Sequence, residues 1–256
     1  MKRLPGGPIN SEKDVGSSPH PVVAAIQAGH DAAEALKACG CNTNLAPVLG
    51  VYRSEGDFLD QWERSYSNDS HIVAECGTAF LMTQQMANTI ATAKHFPGLG
   101  AATQAENTDL EPVTINLSLK ELREVDMAPY RPAIAAGVDM VMTSWAVYPA
   151  LDEQFPAGLS KKIIHGELRG RLGFRGVTHT DALEAGSLAA FGDAGRLGVL
   201  ATEAGIDLLL ASQRNVTQGE VIFDALMSAL ESGELTEREF SESTERIMRL
   251  RRKLVK

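Results

Sequence analysis

Cationic, imidazole and carboxylate side chains stand at the ends of short apolar segments in this sequence. Lys94 and His95 end one such segment, Asp181 ends another, and Arg64 lies in a polar stretch between two of them. A carboxylate can act as a nucleophile, while lysine, arginine and histidine donate hydrogen bonds to hydroxyl groups. Trp145 adds an aromatic platform at the end of a third segment. This combination of residue types suits the binding and cleavage of a polyhydroxylated sugar.

Short apolar runs that alternate with longer amphipathic stretches must position these side chains. The runs cover residues 43–51, 92–98, 138–145, 176–183 and 205–212, and the stretches predict helices over 21–40, 70–90, 118–137 and 238–256. The pairs Ser118 with Glu121 and Thr236 with Glu239 are typical of capping boxes at two of the helix starts, and Gly137 is placed to end one helix. Strand and helix alternate throughout, which predicts a parallel sheet with right-handed crossovers.

In parallel sheets the loops at the carboxyl ends of the strands meet at one crevice, and catalytic and binding residues usually lie there. This rule places several polar and aromatic side chains at the same mouth of the fold. They are Lys94, His95, Ser144, Trp145, Thr178, His179, Thr180 and Asp181. His179 precedes Asp181 by two residues, so both side chains point to the same side of their strand.

Each of these residues also has an ordinary structural interpretation. A strand-end aspartate such as Asp181 is more often a helix cap than a nucleophile, and His95 is as often a hydrogen-bonded structural histidine. Arg64 would usually be a solvated surface residue, and Trp145 would usually lie in the core. Glu106 and Asp109 would by default be loop acids. Spacing alone therefore leaves the function open.

Composition narrows the class of protein. The chain has 256 residues, 44% of them hydrophobic, which is enough for one folded domain over residues 1–256. A net charge of −9 disfavours a nucleic-acid partner or an anionic membrane surface, and no apolar run is long enough to span a bilayer. The three cysteines have no metal-ligand spacing and favour a reducing, cytoplasmic compartment. We expect no metal and no organic cofactor. The sequence does not indicate which oligomeric state the protein has.

Five segments together resemble a known family. "AKHFPGLG", with "NLAPVLGV" and "ERSYSND" before it and "GFRGVTHTDALEAG" and "EAGIDLLLAS" after it, is similar to the catalytic barrel of glycoside hydrolase family 3. The resemblance runs in order from about residue 3 to about residue 214 and is strongest to the bacterial β-N-acetylglucosaminidase (β-N-acetylhexosaminidase) branch. It implies a TIM-type (β/α)8 barrel and a retaining β-glycosidase acting on N-acetylglucosaminides or β-glucosides.

The resemblance also implies roles for individual residues. Asp181 would be the nucleophile that forms a covalent glycosyl-enzyme, and Lys94, His95 and Arg64 would bind hydroxyls of the sugar whose bond is cleaved. The branch carries an Asp-Ser-His acid/base unit after its K-H-F-P-G-H-G block, but here Leu99 replaces the second histidine and residues 101–112 contain none. We expect Asp109 or, second, Glu106 to supply the proton from this loop. His179 is a further candidate, although the family usually has an apolar residue there.

A second departure concerns the beginning of the chain. The resemblance covers only the last five of the eight strands of the family barrel, and it begins after the strand that carries a sugar-binding Asp. We expect an N-terminally truncated chain with little activity in isolation, and any export signal would lie in the missing region. The alternative is a degenerate, non-catalytic relative that binds sugar.

Overall fold

A computed structural model describes residues 4–254, so Met1, where we expect a truncated start, lies outside the described residues. The α-helices are α1 (Glu12–Gly16), α2 (Pro21–Ala38), α3 (Phe58–Gln61), α4 (Ser70–Met86), α5 (Leu119–Glu121), α6 (Tyr130–Ala135), α7 (Ala194–Ala204), α8 (Val216–Ser232) and α9 (Glu237–Arg252). The strands are β1 (Thr43–Asn44), β2 (Ile90–Phe96), β3 (Met140–Thr143), β4 (Val147–Tyr148), β5 (Asp152–Pro156), β6 (Val177–Ala182) and β7 (Leu208–Leu210). Two π-helical segments, Leu122–Asp126 and Lys162–Arg171, and two 3-10 turns, Ala157–Leu159 and Gly186–Leu188, complete the fold.

Five strands form one parallel sheet in the order β1-β2-β3-β6-β7. Helices or π-helical segments connect successive strands of this sheet, so the predicted α/β architecture, an incomplete TIM-type barrel, is confirmed. Among the described residues, β1 and β7 each pair with one neighbour only. Over the same part of the chain, no helix is both long and apolar enough to cross a bilayer.

All five predicted strands are present, but the first is much shorter than the run 43–51 that predicts it. Regular pairing of β1 stops at Asn44, because Pro47 has no amide hydrogen to donate to a sheet neighbour. The chain nevertheless stays beside β2. Val48 forms an isolated parallel bridge with Lys94, and the Leu49 amide donates to the Lys94 carbonyl oxygen at 2.8 Å. This irregular end of β1 therefore lies against the site end of β2.

Two elements differ from the sequence expectation. The single helix predicted over 118–137 is divided into α5, a π-helical turn and α6, because Pro129 cannot donate an intrahelical hydrogen bond. Its cap at Ser118 and its left-handed end at Gly137, with φ of 78°, are as predicted. The antiparallel hairpin of β4 and β5 was not predicted, because its strands are short and partly polar.

The two faces of the sheet bury different partners. One face, with Ala91, Ala93 and Val141, belongs to a large apolar core shared with α2 and α4. The other face is the concave interior, where an apolar layer at the amino ends of the strands packs against Leu250 of α9. That layer comprises Ile90, Met140, Val177 and Leu208. Helix α9 thus covers one end of the interior and leaves the carboxyl ends of the strands for the site.

Candidate active site

The site is built on the carboxyl ends of β2 and β6. His95 Nε2 lies 3.5 Å from Asp181 Oδ2, and the Ala182 amide donates to Asp181 Oδ1 at 2.8 Å. The Asp181 side chain is 30% exposed, whereas that of His95 is 6% exposed. The structure therefore presents one fixed carboxylate to solvent, with a buried imidazole beside it.

Lys94 brings a cationic group to this carboxylate. Burial and the positive charge of Arg64 lower the pKa of Lys94 to about 8, and the negative charges of Asp181 and Glu12 oppose that shift. Burial also lowers the pKa of His95 well below its ordinary value, and the positive charges of Lys94 and Arg64 add to the effect. His95 is therefore neutral near pH 7, whereas the Lys94 ammonium is largely charged. The structure brings together the four residues Arg64, Lys94, His95 and Asp181.

A cavity of about 750 Å³ opens beside these residues. Its polar lining includes Glu12, Asn44, Arg64 and Lys94. Asp181 is not among the lining residues, since it ends β6, which β3 separates from β2, but its negative charge acts on Lys94, which lines the cavity. A cavity of this size holds a small organic ligand.

Asp109 is the loop acid that the structure brings to the site. Its pKa is raised, first by partial burial and then by the negative charge of Asp181, while Arg64 acts in the opposite direction. The Gly186 amide donates to the Asp109 carbonyl oxygen at 2.9 Å. The Ser187 amide donates to the carbonyl oxygen of Thr108, the residue before Asp109. The loop is therefore fixed against the segment that follows β6.

Glu106 lies elsewhere on the same loop. Its Oε2 accepts hydrogen bonds from the amide and the hydroxyl of Thr103, at 2.7 and 2.8 Å. These bonds close a local turn on the surface. The structure therefore associates Asp109, and not Glu106, with Asp181.

Ser144 and Trp145 lie behind the strand ends. The Trp145 side chain belongs to the core, and its Nε1 donates to the Ala182 carbonyl oxygen at 2.9 Å. Ser144 is also buried, and its Oγ accepts from the Ala146 amide at 3.0 Å. Trp145 thus stabilises the backbone next to Asp181, and Ser144 stabilises the turn after β3. The contact of either residue with substrate stays a prediction.

His179 is buried in the concave interior, on the same side of β6 as Asp181. Its Nδ1 lies 2.8 Å from the Thr180 carbonyl oxygen, and because a carbonyl only accepts, Nδ1 carries the proton. Burial lowers the pKa of His179 to about 4. Its Nε2 has no hydrogen-bond partner among residues 4–254, and no group of three or more His, Cys, Asp or Glu in that range is arranged to hold a metal ion. A substrate contact by His179 stays a prediction.

Sequence reasoning missed Glu12, the first residue of α1. Its Oε1 accepts from the Val48 amide at 3.1 Å, and burial raises the pKa of its carboxyl group to about 8. The spacing of Ser11 and Asp14 could have indicated the helix start, since the two form a capping box. No local pattern indicates that the carboxylate contacts Val48 beside β2, because that contact joins residues 36 apart.

The geometry agrees with comparisons to known proteins. Residues 11–250 match the family model described as the glycosyl hydrolase family 3 N terminal domain. An uncharacterized secreted glycosyl hydrolase from Arthroderma benhamiae is 55% identical over 99% of this chain and 72% of its own length. A beta-hexosaminidase from Xylella fastidiosa is 35% identical over 76% of this chain and 55% of its own length.

Solved structures give the same result. A glycoside hydrolase family 3 beta-N-acetylglucosaminidase from Paenibacillus sp. superposes with a TM-score of 0.89 and 36% identity, over 98% of this chain and 46% of that one. A beta-N-acetylhexosaminidase from Beutenbergia cavernae gives a TM-score of 0.85 and 29% identity, over 95% and 72% of the two chains. This chain thus spans about half the length of several relatives that it matches.

Proposed function

This chain belongs to glycosyl hydrolase family 3, and we propose that it carries the sugar-cleaving site of a retaining β-glycosidase acting on terminal β-N-acetylglucosaminides or β-glucosides. One observation carries the proposal: the partly exposed Asp181 carboxylate at the carboxyl end of β6 lies 3.5 Å from His95 at the carboxyl end of β2. The similarity to a β-hexosaminidase and to a β-N-acetylglucosaminidase supports the N-acetylglucosaminide as the first substrate to test.

In this proposal Asp181 attacks the anomeric carbon and forms a covalent glycosyl-enzyme. Asp109 gives a proton to the leaving oxygen, and in the second step it takes a proton from the water that releases the sugar. The raised pKa of Asp109 supports this role, since a general acid must hold its proton near the working pH. Two inversions at the same carbon give net retention of configuration.

Donor side chains hold the sugar ring for this attack. Lys94, Arg64 and His95 would donate hydrogen bonds to hydroxyl oxygens, and the resulting binding energy would favour a distorted ring close to the transition state. Asp181, Lys94 and His95 occupy fixed strand ends, so little reorganisation of these three groups is needed when the substrate enters.

The first prediction concerns the stereochemistry of the reaction. We expect proton NMR of an aryl β-N-acetylglucosaminide digest to show the β-anomer of the free sugar before mutarotation. Asp181→Asn should abolish this signal, because the amide cannot act as the nucleophile. Initial release of the α-anomer would contradict a retaining mechanism.

The second candidate function is sugar binding without hydrolysis. It is favoured by Leu99 and the histidine-free loop 101–112, which depart from the acid/base unit of the related branch. A chain of this kind would bind N-acetylglucosamine and leave aryl glycosides intact. Calorimetric binding of the sugar, measured beside the NMR assay, separates the two functions.

A further inference from the structure

We propose that Glu12 is a further sugar-binding residue whose free carboxylate oxygen accepts a hydrogen bond from a hydroxyl of the ring held by Lys94 and Arg64. This inference rests on the proposed function, because it assigns a new residue to the same site. It concerns affinity and the choice of sugar, while Asp181 and Asp109 carry the bond cleavage.

Glu12 stands on a rigid part of the chain. It is the first residue of α1, and the capping box of Ser11 and Asp14 fixes that turn. The next residue, Lys13, forms an ion pair with Asp60 at 2.7 Å, and the Asp60 side chain is almost fully buried. The backbone around Glu12 is therefore held from both sides, which keeps its side chain in one direction.

The two carboxylate oxygens of Glu12 have different surroundings. Oε1 accepts from the Val48 amide at 3.1 Å, and Val48 forms the parallel bridge with Lys94. This bond places the carboxylate beside the site end of β2. Oε2 is buried and has no hydrogen-bond partner among the described residues. A buried acceptor without a donor is costly, so a donor from a ligand or water is expected there.

The chemistry of the cavity selects the ligand. Glu12 lines it together with Arg64 and Lys94, and both cations interact electrostatically with the Glu12 carboxylate. A simple cation would be repelled by Arg64 and Lys94, and an anionic ligand would be repelled by Glu12 once its carboxyl group, whose pKa is about 8, is ionised. A neutral polyol suits all three groups, because each hydroxyl both donates and accepts hydrogen bonds.

The position of Lys94 indicates which part of the ring meets Glu12. The Lys94 ammonium interacts electrostatically with Asp181 and also with Glu12. A ring with its anomeric carbon at Asp181 and its hydroxyls on Lys94 would extend toward Glu12. We therefore assign the contact to a hydroxyl remote from the anomeric carbon, at position 3, 4 or 6.

The test compares two isosteric variants of the whole chain. Glu12→Gln keeps an oxygen for the Val48 amide but replaces the free acceptor by a donor, so the fold should be retained. Glu55→Gln is the matched control, since Glu55 is exposed and is not among the residues that line the cavity. Equal thermal unfolding midpoints of the parent and both variants would show that only the site has changed.

Binding of N-acetylglucosamine and of its 3-, 4- and 6-deoxy analogues is measured by isothermal titration calorimetry at about pH 9, above the Glu12 pKa of about 8, so that the carboxyl group is ionised. We expect Glu12→Gln to weaken binding of N-acetylglucosamine roughly 10- to 100-fold, the range for a hydrogen bond to a charged group, and Glu55→Gln to leave it unchanged. The parent should bind one deoxy analogue more weakly than N-acetylglucosamine, and Glu12→Gln should not distinguish those two sugars.

Unchanged affinity in Glu12→Gln, an equal loss of affinity for all four sugars, or no binding by the parent would each overturn the inference. Labelling of Asp181 by an activated 2-fluoro glycoside reports on the proposed function separately. A labelled parent with unchanged affinity in Glu12→Gln would reject the Glu12 contact alone. An unlabelled parent that loses sugar affinity in Glu12→Gln would reject catalysis and keep the contact.

Discussion

At the scale of single residues, the identity of the proton donor is the least predictable part of the site. From the sequence we expect Asp109 or, second, Glu106 to be the proton donor, and the tertiary structure distinguishes the two. The Asp109 backbone is bonded to the segment after β6, whereas the Glu106 carboxylate is bonded to Thr103. Asp109 is therefore the better candidate for the acid/base.

We predict that Asp109→Asn lowers kcat/KM much more for substrates with poor leaving groups than for activated aryl glycosides, because only poor leaving groups need a proton to depart. Glu106→Gln is the matched control and should lower both rates little. The measurement is a series of aryl β-N-acetylglucosaminides that differ in the pKa of the leaving phenol. An equal loss for all members of the series would reject Asp109 as the acid.

His179 gives a prediction about stability and pH. The pKa of His179 is about 4 in the folded chain, whereas its ordinary value is 6.5. Between pH 6.5 and pH 4 the unfolded chain therefore binds a proton that the folded chain does not. Stability contributed by neutral His179 is present above pH 6.5 and is lost as the pH falls toward 4. The loss at pH 5 is about 2 kcal/mol of the free energy of unfolding.

Replacement of His179 by leucine should remove this dependence. We expect urea unfolding at about pH 7 and about pH 5 to show a smaller drop in stability for His179→Leu than for the parent, by roughly 2 kcal/mol. His71→Leu is the control, because His71 is exposed on α4. Parallel pH dependence in the parent and His179→Leu would show that His179 does not resist protonation in the folded state.

At the scale of elements, the segment after β6 positions the loop that carries Asp109. A Cβ atom added at Gly186 would lie 2.1 Å from the Leu110 carbonyl oxygen, which no side chain can tolerate without a backbone shift. Glycine is therefore required where these two segments meet. The same contact explains how a loop of mostly small and polar residues keeps Asp109 close to Asp181.

We predict that Gly186→Ala separates the two segments and lowers both activity and the thermal unfolding midpoint. Gly219→Ala is the matched control in α8, where an added Cβ has no atom within 4 Å. It should stabilise the chain by roughly 0.5–1 kcal/mol through helix propensity. Full activity in Gly186→Ala would show that the contact with Leu110 does not position the catalytic loop.

Local signals predict most of these elements. The five apolar runs gave the five sheet strands, and the cap at Thr236 gave the start of α9, because both depend on neighbours in sequence. No apolar run in the sequence indicates the hairpin of β4 and β5. The break at Pro129 overrides an otherwise helical pattern. Glu12 could not be assigned to the site from sequence, since its neighbours Val48 and Lys94 are distant in the chain.

At the scale of the whole molecule, the parallel sheet brings together groups that lie far apart in sequence. Lys94 and His95 end β2, Asp181 ends the strand two places along the sheet, and Glu12 arrives from α1 at the edge. Helix α9 packs at the opposite end of the interior through Leu250. The fold thus separates a covered apolar end from a polar, open one, and the proposed sugar site depends on that division.

The most direct test of the account is to find the residue that becomes covalently attached to the sugar. The chain is incubated with an activated 2-fluoro β-glycoside, which slows release of the glycosyl-enzyme, and its peptides are then mapped by mass spectrometry. We predict one added glycosyl group, on the peptide that contains Asp181, and none in Asp181→Asn. A folded chain that takes up no label, or a label on another residue, would contradict the assignment of Asp181 as the nucleophile.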